Sequence, residues 1–194
     1  MRSASVERNT SETQIVLEVA IDGSGKAEVD TGIGFLDHML VLFAKHSGCD
    51  LSVQATGDLH VDVHHTTEDL GISLGLALRE AMGDKWGIHR YGHFTLPMDE
   101  VLMQVALDCS GRPFFVWEVP IPQPRLGVWD TEMAEEFFRA VAFNAGLTLH
   151  MRMLSGANAH HIVEAAFKAF ARALRMALTF DPRESGVPST KGTL

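Results

Sequence analysis

The chain has 194 residues, 46% hydrophobic and 21% charged, the make-up of an ordinary globular domain. Its net charge of -9 argues against a general nucleic-acid binder, because phosphates would meet a repelling surface, but it leaves room for a local basic pocket. No apolar run approaches the roughly 20 residues of a membrane span, and no signal-peptide core opens the chain.

Cys49 and Cys109 lie in apolar runs and read as buried thiols of a reducing compartment, so a cytoplasmic location is expected. Residues 2–9 are polar and read as loose. Residues 13–21 read as a strand, Asp22-Gly23-Ser24-Gly25 as a hairpin turn, and 26–29 as a strand pairing back. A helix is predicted over 35–47, stopped by Gly48. A strand over 51–55 follows, then a turn at Gly57-Asp58 and a helix reaching Met82. A polar loop carries Arg90. Strands are predicted over 94–98, 101–109 and 114–119, followed by a proline-rich loop over 120–127. A helix over 131–144 ends at Gly146, and a strand over 147–153 leads to the last helix, 160–178. The tail from Asp181 is polar and rich in Pro, Gly and Ser.

Laid on one another, the halves repeat. The stretch from Asp37-His38 to Gly48 has the length of Glu135-Glu136 to Gly146, with similar apolar spacing. The predicted order is strand, strand, helix, strand, helix in each half, with an extra strand in the second. This is a duplicated α+β unit, 1–92 and 93–194 within a single domain, with antiparallel or mixed sheets and helices packed between the halves.

One motif occurs twice: His64-His65 with Glu68, and His160-His161 with Glu164. On a helix the Glu stands three and four residues beyond the two His, next to either ring. Adjacent His diverge by roughly 100°, so one ion is not held by both members of a pair. The economical arrangement is two ions and two pairs, each pair giving one imidazole to each ion. Imidazole with carboxylate suits zinc, manganese, iron or nickel, and the lack of thiolate argues against a structural zinc.

The runs Thr31-Gly32-Ile33-Gly34-Phe35-Leu36-Asp37-His38, His64-His65-Thr66-Thr67-Glu68-Asp69, Pro97-Met98-Asp99-Glu100, Ser110-Gly111-Arg112-Pro113, His160-His161 with Glu164-Ala165, and Pro188-Ser189-Thr190-Lys191-Gly192 resemble imidazoleglycerol-phosphate dehydratase, in order and over nearly the whole chain. The resemblance implies the fold of ribosomal protein S5 domain 2 and a chain without the phosphatase domain that some members carry ahead of the dehydratase. It implies a hydro-lyase of histidine biosynthesis that converts imidazole glycerol phosphate to imidazole acetol phosphate. In the family two Mn2+ ions hold the substrate ring as an imidazolate, whose electrons expel the hydroxyl through a diazafulvene intermediate. It also implies active sites between subunits of a homo-oligomer, a 24-mer built from trimers, with a small phosphate substrate and no nucleic-acid or membrane partner.

By that resemblance His38, His64, His65, Glu68, His160, His161 and Glu164 are metal ligands, with His38 also near substrate. The repeat partner of His38 is Glu136, where the family tends to carry His. Glu136 would coordinate through oxygen, or leave the place to water, with His150 nearby as a substitute. Arg90, Arg112, Ser189 and Lys191 match phosphate-binding positions. Glu12 matches a substrate-contacting carboxylate, and Glu12, Glu68 and Glu164 are the candidates for moving the proton. Asp69 and Asp99 are expected to hold His rings or a helix start. His46 and Lys168 lie close to these motifs. Two other readings are a metal-assembled structural protein, which would not need the phosphate-type residues, and a dinuclear hydrolase, which would lean on more bridging aspartates.

Overall fold

The computed structural model describes residues 1–194. In chain order its elements are β1 (Ser3–Asn9), β2 (Thr13–Ala20), β3 (Ala27–Asp30), α1 (Gly34–Ser47), β4 (Asp50–Gly57) and α2 (His64–Met82). The second half runs β5 (Tyr91–Met98), β6 (Val101–Asp108), β7 (Phe114–Glu118), β8 (Arg125–Leu126), β9 (Trp129–Asp130), α3 (Met133–Ala145), β10 (Thr148–Ser155) and α4 (Ala159–Leu178). Each half builds a four-stranded sheet of one plan, β1-β2-β4-β3 and β5-β6-β10-β7. In each, the third strand runs parallel to the last, the helix between them making the crossover. The α+β duplication is therefore present, with the helices between the sheets.

Two details differ from the sequence reading. Residues 3–9 form a full strand, antiparallel to β2, so the main sheet of each half has four strands, and what the second half has in addition is the short β8–β9 pair. Polar residues disguise this strand because inward-pointing Arg8 is matched by the buried Asp69 carboxylate of α2, 2.8 Å from its guanidinium. The stretch 22–25 is also not a hairpin. The Asp50 carboxylate accepts hydrogen bonds from the backbone N–H of Ser24 (2.8 Å) and Lys26 (2.9 Å), steering the chain across the end of β4 so that β3 pairs beyond it. Alternation of apolar residues fixes which face of a strand is buried and says nothing about its neighbour.

Inward residues of the central strands, such as Ile15, Leu17 and Val19 or Met103, Val105 and Leu107, meet the helix layer in one continuous core. Helix α2 covers β1 and β2 and crosses α3; α4 covers β5 and β6 and crosses α1. The α2–α3 crossing is backbone-close. A Cβ on Gly71 would stand 2.8 Å from the Phe137 carbonyl, and one on Gly75 2.8 Å from that of Val141. Across the other seam Phe43 stacks on Phe170, which also meets Phe138 edge-on. No helix is long and apolar enough to cross a membrane.

Candidate metal centre

The second turn of α1 lies beside the start of α4, and Trp129 links this pair to the start of α2. The backbone sets each start locally. Asp62 accepts from the His64 N–H at 2.7 Å, and Asn158 accepts from that of His161 at 3.2 Å. In α1 the Asp37 carboxylate takes both the N–H (2.9 Å) and the hydroxyl (2.5 Å) of Thr31, which fixes the turn that presents His38. Phe35 packs edge-on against His160 and at a tilt against Trp129, whose indole N–H donates to Thr67 of α2, joining the two helix starts.

His38, His160 and Glu164 converge, with one potential ligand atom from each lying within 4.8 Å of the others. The Glu164 Oε2 lies 3.1 Å from Nε2 of His160 and 3.4 Å from Nε2 of His38. Its second oxygen meets Lys168 Nζ at 2.5 Å. Burial pushes the Glu164 carboxyl up, but the Lys168 ammonium and the two imidazoles outweigh it and hold the group below the usual carboxylate range. Burial and the Lys168 and Arg172 charges push neighbouring His46 down, towards the neutral form.

The second member of each His pair diverges as expected, the rings meeting at 77° in His64–His65 and 85° in His160–His161. His65 Nδ1 faces Asp58 at 3.0 Å and Glu12 at 3.8 Å; His161 Nδ1 faces Glu100 at 2.9 Å, with Asp99 at 3.6 Å from Nε2. The hydrogen bond to Asp58 raises the His65 pKa, and that to Glu100 raises the His161 pKa, while the same bond lowers Glu100 to about 2. Asp58 and Glu100 are the acceptors that sequence reasoning missed. Asp69 serves Arg8 and Thr13 and touches neither His ring. His64 and Glu68 stand 4.0 Å apart and exposed. Glu136 is paired with Arg139 at 2.8 Å, and His150 stacks on Phe114, out on the sheet.

The phosphate-type residues gather elsewhere. Arg90, Arg112, Ser189 and Lys191 line one open cleft of about 700 Å³. Arg90 forks onto Asp108 (2.8 and 3.1 Å) and donates to the Pro188 carbonyl (2.8 Å), tying the tail to the sheet. The Arg90 N–H bonds the carbonyl of Ala177, one residue from the end of the helix that begins beside His160. At 1.5 Å per residue the two ends are about 25 Å apart.

The imidazoleglycerol-phosphate dehydratase model matches residues 31–174. The chain belongs to the imidazoleglycerol-phosphate dehydratase family. Among the curated proteins, it is 59% identical over 193 residues to the imidazoleglycerol-phosphate dehydratase of Desulforamulus reducens, covering all of this chain and 98% of the relative. It is 56% identical to that of Synechococcus sp. (strain CC9902), covering 100% and 97%. The crystal structure of the Staphylococcus aureus enzyme superposes with a TM-score of 0.85 at 44% identity, covering 92% of this chain and 99% of that one. The Pyrococcus furiosus enzyme, in complex with (S)-C348, gives 0.83 at 40% identity, covering 97% and 100%. As an imidazoleglycerol-phosphate dehydratase the chain is a hydro-lyase, and its reaction belongs to histidine biosynthesis.

Proposed function

We propose that the dehydration takes place at a centre of two manganese ions held by His38, His64, His65, Glu68, Glu136, His160, His161 and Glu164. In this reading Arg90, Arg112, Ser189 and Lys191 of a neighbouring chain hold the substrate phosphate. The convergence of His38, His160 and Glu164 supports the metal end, and a donor set of imidazole nitrogen and carboxylate oxygen without thiolate suits manganese. Bound there, the ions would polarise the ring nitrogens of the substrate so that ring electrons become available to expel the neighbouring hydroxyl.

The chain's own residues do the rest. Asp58 and Glu100 accept from Nδ1 of His65 and His161, which leaves Nε2 of each ring as the donor atom. Glu164, ionised beside Lys168, supplies anionic oxygen. Glu12, 3.8 Å from His65, would bind the glycerol hydroxyls, and Glu12, Glu68 and Glu164 are the candidate carboxylates for the proton on the second glycerol carbon. Loss of that proton and of hydroxide from the carbon next to the ring amounts to one water, leaving an enol that becomes the ketone.

A single observation carries the intersubunit reading: the metal and phosphate ends of one chain lie about 25 Å apart along α4. The substrate spans no more than about three residues of extended chain, roughly 10 Å. One molecule therefore reaches both only where two chains meet, which fits a homo-oligomer, a 24-mer built from trimers, working in the cytoplasm. Mixing chains tests this. His161→Ala protomers, inactive alone, and Arg112→Ala protomers, which alone turn over only at raised substrate, should together regain turnover at low substrate when co-assembled, because some sites then draw both ends from intact halves. Mixed particles no more active at low substrate than their parents would overturn it.

A further inference from the structure

We propose a second oxyanion site beside the substrate-phosphate cleft, in a cavity of about 420 Å³ lined by Arg79, Lys85, Ser110, Arg112 and Lys191, taking a small tetrahedral dianion such as inorganic phosphate. The duplication exposes it. Strands β2 and β6 occupy matching places, Ala20 opposite Asp50 and Asp108 opposite Thr148, so Asp22 and Ser110 correspond two residues further on. Arg175 and Arg79 each follow the Glu of their His-His motif by eleven residues (175 − 164 and 79 − 68). Each sheet thus has a cavity where the long helix of the other half ends against the cap of its own shorter helix.

In the first-half sheet the cavity is about 230 Å³, and its lining includes Arg2, Asp22, Gly48 and Arg175. It contains its own anion, the Asp22 carboxylate, paired with Arg2 at 2.6 Å. In the other cavity the matching residue is Ser110, and cations gather with no acidic side chain among the lining residues. Lys85 is only 8% exposed, its backbone held in the left-handed region (φ 61°), and its ammonium has neither an ion pair nor a hydrogen bond. Burial, then the Arg79 charge, depresses its pKa, while Cys109 and Asp108 oppose them. Arg79 is exposed and likewise unpaired. The closest carboxylate to Arg112 is Asp108 at 3.8 Å, already forked by Arg90. The backbone carbonyl of Leu194 also borders the cavity.

The ends of α2 and α3 face this cavity and bring about half a negative charge each. Four cationic side chains outweigh them. An anion on Lys85 and Arg79 would share Arg112 and Lys191 with the substrate cleft, so filling it competes for the groups that hold substrate phosphate. That coupling rests on the phosphate-cleft reading above; the site itself does not.

Calorimetric titration of inorganic phosphate into the manganese-loaded assembly tests the site. Two phosphates per chain are expected in the native protein and one in Lys85→Met. Arg79→Gln, on an exposed turn, should weaken the second phosphate roughly tenfold, as loss of one charge-assisted contact does. Both variants should keep the native KM in phosphate-free buffer, and phosphate should raise their KM less than it raises that of the native protein, leaving only direct competition in the cleft. A single site unaffected by either substitution would overturn the inference. So would a KM raised by Arg79→Gln without phosphate, since Arg79 would then belong to the substrate cleft. Failure of the cleft reading shows separately, as an Arg112→Ala variant with native KM.

Discussion

The seam between α2 and α3 joins the two halves and decides how the His64 turn faces Glu136, so it is the place to test the packing. Gly71→Ala adds one methyl whose carbon would stand 2.8 Å from the Phe137 carbonyl and 2.8 Å from the Ala140 Cβ. Neither neighbour is the free end of a flexible side chain, so the helices must separate. Overpacking of this kind costs about 1–3 kcal/mol, whereas replacing a helical glycine by alanine returns up to about 1 kcal/mol. Packing wins, and a net loss of about 1–2 kcal/mol is expected. Gly34→Ala is the control. Nothing lies within 4 Å of its added methyl, at the first residue of α1, so a gain of about 0.5 kcal/mol is expected. Urea unfolding at one fixed protein concentration reads both through their midpoints, with unchanged slope. Because Phe137 follows Glu136, the same shift should weaken manganese binding in Gly71→Ala. A Gly71→Ala protein as stable as Gly34→Ala would refute a backbone-close seam.

His64→Ala and His161→Ala should each abolish turnover with the circular dichroism spectrum kept, since one missing ligand disrupts the ion pair. Arg112→Ala should raise KM while metal content, read by elemental analysis, stays native. If Glu136 reaches an ion by leaving Arg139, Glu136→Ala should weaken one of two manganese ions in a titration; superimposable curves would remove it from the ligand set. In the metal-free protein His65 has a raised folded pKa through Asp58. Its stabilising contribution is therefore complete below the unfolded value of about 6.5 and is lost as pH rises through the higher folded value. Asp58→Ala should flatten that part of the stability–pH curve above about pH 6.5.

The two His-His-Glu motifs were legible because they are local: three or four residues of helix set their geometry, whatever the rest of the fold does. The acceptors behind them were not. Asp58 stands across a turn from His65, and Glu100 reaches His161 from another sheet strand end, 61 residues away. Strand β1 escaped because its inward Arg8 looks like a surface residue until Asp69 is placed beside it. The neighbour order of β3 escaped because the carboxylate that redirects the chain, Asp50, lies far downstream. The phosphate residues were named only through family resemblance. Arg90 and the tail are tied across 98 residues, and no spacing rule joins them.

The central claim is metal-assisted removal of water from imidazole glycerol phosphate. The direct measurement is formation of imidazole acetol phosphate by protein stripped with a chelator and then titrated with manganese. The account expects no turnover in the stripped protein and recovery that saturates at two ions per chain. Full turnover without metal, or a fully loaded protein that forms no ketone, would contradict it.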